Sequence, residues 1–159
     1  MKKLRKLLIL DDDPHYSGML ALKLRMQFPE LVISASQRSK VLPGYDIYIL
    51  DNDFSGDECG AKLAEEVRVV APESLVAVLS GTLEFSLLKR LVNCHAAGVF
   101  DKSDDDDLAR LMDLIDRFLL SQQGVKADSR KDSKSVLVGI SNLLSEWNRR
   151  LAFEEKRLS

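Results

Sequence analysis

The sequence predicts an α/β protein: a doubly wound, five-stranded parallel sheet with helices on both faces, followed by an extra amphipathic helix at the C-terminal end. Three observations predict it. Short apolar runs alternate five times with segments of helical periodicity, the pattern of a parallel sheet covered on both sides. The periodicity stops after Leu120 and resumes from about Ser135. The length, 159 residues, suits one domain with a small appendage.

The elements follow in order. Residues 7–10 (LLIL) form the first strand and run directly into Asp11, Asp12 and Asp13. Residues 14–27 form a helix, with Pro14 at an early position where its missing N–H costs nothing. Tyr16, Leu20 and Leu24 repeat every fourth residue and mark its inner face. Residues 31–35 (LVISA) make the second strand, and 45–50 (YDIYIL) the third, which ends on Asp51. Only SQRSKVLPG, residues 36–44, joins them, so this crossover holds at most a stunted helix of about two turns.

In a helix from Glu58 to Val70, Leu63, Val67 and Val70 line one face, and Pro72 follows its end. Residues 74–79 (SLVAVL) are the fourth strand, ending on Ser80. A helix over 83–92 clusters Leu87, Leu88, Leu91 and Val92. Residues 98–101 (GVFD) give a short fifth strand, ending on Lys102. The helix over 104–120 is the clearest: Leu108, Leu111, Met112, Ile115, Phe118 and Leu119 fit one stripe. Its leading aspartates, Asp104 to Asp107, read as a solvated cap suited to the positive end of the helix dipole. The α/β domain is thus expected over residues 1–121, a polar linker over 122–134, and the amphipathic helix over 135–159. Val136, Ile140, Leu143, Leu144, Trp147 and Leu151 form the stripe of that last helix.

Bulk properties narrow the function. A formal charge of -2 provides no global field for nucleic acid or acidic membrane. The basic start MKKLRK is followed by too short an apolar run for a secretory signal, and no stretch reaches the length of a membrane span. Cys59 and Cys94 lack metal-ligand spacing and read as reduced thiols of a cytoplasmic protein. His15 and His95 are joined by no metal spacing and read as surface residues.

In an open parallel sheet, chemistry collects at the carboxyl ends of the strands. Here those ends carry Asp11, Asp12 and Asp13, then Asp51 with Asp53 close behind, then Ser80, then Lys102. Converging carboxylates repel one another unless a cation sits among them. A hard divalent ion such as Mg²⁺ takes oxygen ligands and keeps waters that a phosphoryl oxygen can replace. An ammonium and a hydroxyl beside it stabilise the charge of a phosphoryl group in transfer, and a carboxylate can accept that group as an aspartyl-phosphate.

Four motifs carry a family resemblance: LILDDDP, YDIYILDNDFSG, VLSG and VFDKS, in that order and at successive strand ends. Together they resemble a receiver domain of the bacterial two-component response regulators, over residues 5 to about 121. The resemblance implies the flavodoxin-like receiver fold, with a shortened second crossover. It implies Asp51 as phosphoacceptor, with Ser80 bonding a phosphoryl oxygen and Lys102 pairing with the phosphate. It implies Mg²⁺ held by Asp12 directly, by Asp11 through water, by Asp51 and by the backbone carbonyl of Asp53. Asp13 is left to cap the following helix. A histidine kinase, a phosphotransfer protein or a small phosphodonor would supply the phosphoryl group, and a downstream protein would read the signal, with no direct role for nucleic acid or membrane.

The sequence departs from the family pattern in places. Ser103 stands where a proline usually follows the lysine, and Val99 where an aromatic residue is common. Phe100, one residue on, falls on the other face of its strand. A pseudo-receiver that signals without phosphate is the first alternative. A phosphatase of the haloacid-dehalogenase type, with Asp11 as nucleophile, is the second. The C-terminal stripe requires cover from its own domain, a second copy or another protein. The polar linker favours intermolecular cover, including a homodimer.

Overall fold

The computed structural model describes residues 3–54, 57–81, 85–123 and 148–149, with the backbone alone at 57, 58 and 85. Five strands form one parallel sheet: β1 (Lys6–Leu10), β2 (Val32–Ser36), β3 (Ile47–Asp51), β6 (Leu75–Ser80) and β7 (Gly98–Asp101). Their order is β2-β1-β3-β6-β7, with β1 and β3 central and the chain order reversing beside them. A short antiparallel ladder, β4 (Asp53–Phe54) with β5 (Asp57–Glu58), follows β3. The helices are α1 (Pro14–Gln27), α2 (Gly60–Val70), α3 (Phe85–Asn93) and α4 (Asp105–Gln123).

The sheet separates two apolar layers. Leu7, Ile9, Ile47, Ile49, Ala77 and Leu79 face α1 and α4, where Leu20, Leu24, Leu111 and Ile115 meet them. Leu8, Leu10, Tyr48, Leu50, Val76 and Val78 face α2 and α3, where Leu63, Val67, Leu88 and Leu91 meet them. Both faces of the central strands are buried, and this is why their sequences are continuous apolar runs. Val99 lies in the α2/α3 layer and Phe100 in the α1/α4 layer, on opposite faces as the strand period requires.

The crossover from β2 to β3 contains no helix at all. Val41 and Tyr45 pack on the α2/α3 layer instead. The Tyr48 hydroxyl donates to the carbonyl of Leu42 at 2.7 Å, and its ring meets Tyr45 edge-on. On β2 the positions of that face are Val32, Ser34 and Ser36, exposed or half-buried, which need no helix above them.

Helix boundaries differ from the sequence reading. The helix expected from Glu58 begins at Gly60, because Asp57 and Glu58 pair with Phe54 and Asp53 across the β4–β5 ladder. A Cβ on Gly60 would stand 2.8 Å from Asn52 Oδ1 and 2.9 Å from Val78 Cγ1, so only glycine fits this entry. The helix expected to end at Leu120 runs to Gln123, two residues into the expected linker. The rest of that linker lies outside the described residues, as does the C-terminal helix apart from Asn148 and Arg149.

The expected solvated run 104–107 also divides. The Asp104 side chain caps α4 by accepting the N–H of Asp106, and Asp105 and Asp106 are exposed. Asp107, however, is fully buried. His15 and His95 are exposed, and both cysteines are free thiols. Among the described residues no helix is long and apolar enough to cross a membrane.

Candidate phosphoryl and metal site

The strand ends bring the acids together. β1 ends at Leu10, so Asp11 and Asp12 stand at its carboxyl end, and Asp51 is the last residue of β3, the adjacent strand. One carboxylate oxygen from each of Asp11, Asp12 and Asp51 lies within 4.8 Å of the other two. Asp13 does not join them. Its side chain accepts the N–H groups of His15 and Tyr16 and caps α1.

Lys102 enters from the end of β7. Its ammonium lies 2.8 Å from Asp11 Oδ2 and 2.9 Å from Asp51 Oδ1, and both carboxylates are buried. Burial penalises the lysine's charge, but the hydrogen bonds to Asp11 and Asp51 outweigh it and hold Lys102 above its ordinary range. The Tyr16 ring lies 4.8 Å from the same ammonium, a cation–π contact, and its hydroxyl donates to the Lys102 carbonyl. Burial pushes the Tyr16 phenol up to about 12, so it stays a donor.

Asp51 has two unlike oxygens. Oδ1 receives Lys102 and the backbone N–H of Asp53 at 3.0 Å. Oδ2 is buried and has no hydrogen-bond partner. Desolvation raises this carboxyl to about 6, against the lowering pull of the Asp53 amide and Lys102. A buried, unpartnered carboxylate oxygen beside two further acids fits a cation that the chain itself does not supply. The donor set is all oxygen, which suits Mg²⁺.

Ser80 is fully buried at the end of β6, one residue past Leu79, the register partner of Asp51. Asn52 ties the two strand ends: its Nδ2 donates to Ser80 Oγ at 3.5 Å, and its Oδ1 accepts the N–H of Gly60 at 3.0 Å. The Asp53 side chain turns toward the loop after β6, where Oδ2 accepts the N–H of Gly81 at 2.8 Å. Sequence reading gave no role to Asn52 or Tyr16 in the site. Tyr16 carried one signal, its place in the first turn of α1 above the strand ends, but its spacing matched a core face. Asn52 carried none, because its partners come from β6 and α2.

No protein-family model matches the sequence, and comparison with curated proteins gives no match. Solved structures do match. The signal receiver domain of a DNA-binding response regulator from Colwellia psychrerythraea 34H is 19% identical, with 72% of this chain and 98% of that one covered and a TM-score of 0.59. A CheY-like response regulator receiver domain from Methanospirillum hungatei JF-1 is 17% identical, covering 76% and 98%, with a TM-score of 0.62. The response regulator TrrA from Thermotoga maritima, in complex with Mg²⁺ and BeF, is 20% identical, covering 71% and 97%, with a TM-score of 0.59. The chain has the flavodoxin-like fold of response regulator receiver domains.

Proposed function

We propose that the protein is a phosphorylation-controlled signalling module of a two-component system, with Asp51 as its phosphoacceptor. One observation carries the reading: the buried Asp51 carboxylate, with Oδ1 on Lys102 and Oδ2 unpartnered, clusters with Asp11 and Asp12, and Ser80 ends the adjoining strand. Asp51 Oδ2 attacks the phosphorus of a phosphohistidine or acyl phosphate. The P–N or P–O bond to the donor breaks, and the leaving group takes up a proton from solvent. Lys102 remains paired with the transferred group, and the Ser80 hydroxyl donates to one of its oxygens. Asp11, Asp12, Asp51 and the Asp53 backbone carbonyl would hold Mg²⁺, which neutralises the acids and the incoming phosphoryl charge.

The phosphatase alternative needs Asp11 as nucleophile. Both its oxygens are engaged, Oδ1 by the N–H of Asp13 and Oδ2 by Lys102, so Asp51 is the better placed acid. The protein therefore acts as a switch that undergoes one transfer rather than as a turnover enzyme. Its donor is a histidine kinase or phosphotransfer protein, and its output passes to a downstream protein target.

Incubation with Mg²⁺ and a small acyl phosphate tests this by intact mass. About one phosphoryl group per chain should appear, and Asp51→Asn should abolish it. Equal labelling of the variant, or many turnovers of donor per chain, overturns the proposal.

A further inference from the structure

Asp107 is a fully buried carboxylate whose partners lie in three parts of the chain. Oδ2 accepts the N–H of Asp101, the last residue of β7 and the neighbour of Lys102, at 2.7 Å. Oδ1 accepts from Arg110, the next turn of α4. Oδ1 also accepts Arg149 Nη2 at 2.8 Å, and Arg149 Nη1 stands 3.9 Å from Asp104 Oδ2. Arg149 belongs to the C-terminal segment, far beyond the end of α4 in sequence.

The contact has a definite place. α4 shares a groove with α1 along Asp105, Leu108, Ala109 and Met112. At 100° per residue, Asp107 and Arg110 fall on the other flank of the helix. That flank faces away from α1, and β7 is an edge strand of the sheet.

We infer that this flank of α4, beside β7, is the docking surface for the chain's own C-terminal segment, with Asp107 as the receptor for Arg149. Reach permits it. From Gln123 back to Asp105, α4 is ~27 Å long at 1.5 Å per residue. An extended chain covers about 3.3 Å per residue, so roughly nine of residues 124–148 close the distance. Charge favours it, since Asp104 to Asp107 open α4 while Arg149 and Arg150 adjoin in sequence. Tethering favours it over a second copy, because a linked segment competes at an effective concentration near millimolar.

The consequence is an occupied face. The same carboxylate fixes the Asp101 amide, one residue from Lys102, so displacement of Arg149 acts on the loop that carries the lysine. That this face passes on a signal rests on the function proposed above; the docking itself does not.

The test uses the full chain without phosphodonor, so that a failure of phosphoryl acceptance leaves it readable. Hydrogen exchange and chymotrypsin cleavage at Trp147 are compared in wild type and Arg149→Ala, with sedimentation of each. The variant should exchange about ten- to a hundredfold faster over 101–107 and the C-terminal segment, as loss of a charge-assisted bond requires. Its cleavage should quicken in step, and both proteins should sediment as monomers. Arg149→Lys should restore part of the protection. Asp107→Asn alters the acceptor of the Asp101 amide directly, whereas Arg149→Ala keeps that carboxylate and reaches the amide only through loss of the Arg149 contact. Unchanged exchange and cleavage in Arg149→Ala overturn the inference. So does protection that vanishes as a wild-type dimer dissociates on dilution, since Arg149 would then reach Asp107 of a second copy.

Discussion

Lys102 Nζ lies 2.9 Å from Asp51 Oδ1 and leaves the other oxygen of that carboxylate without a partner. One oxygen of the proposed acceptor is held and the other has no hydrogen-bond partner. Lys102→Ala removes the only cation that contacts both Asp11 and Asp51 among the described residues. Two buried carboxylates then face each other, and the metal-free variant should lose about 3–5 kcal/mol of stability. Urea unfolding with and without Mg²⁺ checks this. Mg²⁺ should recover more stability in the variant than in wild type.

The Asp51 carboxyl has a pH signature. Its folded pKa, raised by burial to about 6, exceeds the unfolded value near 3.8. The folded state therefore binds the proton more tightly, and stability from this group is present at low pH and lost as pH rises from about 4 through 6. Without Mg²⁺ the loss is on the order of 3 kcal/mol. Other carboxylates titrate too, so the observable is the difference between wild type and Asp51→Asn across that window. A difference that does not change from pH 4 to 7 contradicts the assignment.

Asp53 binds the Gly81 amide and places a negative charge two residues from Asp51, the proposed acceptor. Asp53→Asn keeps an acceptor for Gly81 and removes the charge. Labelling by acyl phosphate should quicken roughly 3- to 10-fold at low salt, with the effect shrinking as salt is added. Stopped-flow fluorescence of Trp147 or quenched-flow mass measurement follows the rate.

Gly60 admits no side chain. Gly60→Ala drives a Cβ against Asn52 Oδ1 and Val78 Cγ1, and should cost about 1–3 kcal/mol in thermal or urea unfolding. Because Asn52 also meets Ser80, labelling of the folded variant should slow as well. Wild-type stability in this variant would contradict the close approach of Asn52 and Val78 to Gly60.

The fold was legible wherever burial wrote continuous apolar runs. β1, β3 and β6 are covered on both faces, so LLIL, IYIL and LVAVL have no polar interruption. The site was legible because its acids, serine and lysine occur at strand ends in sequence order. The β4–β5 ladder was not, since two-residue strands have no period to read. The missing helix after β2 was foreshadowed only by the short connection, and Ser34 and Ser36 show in hindsight that β2 is bare on that face. Asp107 was unreadable for another reason. Its partners Asp101 and Arg149 come from other parts of the chain, and helix-cap chemistry accounts equally well for any aspartate in a first turn.

The central claim is that Asp51 takes the phosphoryl group. Borohydride reduction after exposure to Mg²⁺ and acyl phosphate marks the carboxyl that carries an acyl phosphate, and peptide mapping locates it. The account predicts the mark on Asp51 alone, absent when Mg²⁺ is chelated. A mark on Asp11, or none on any aspartate, would contradict it.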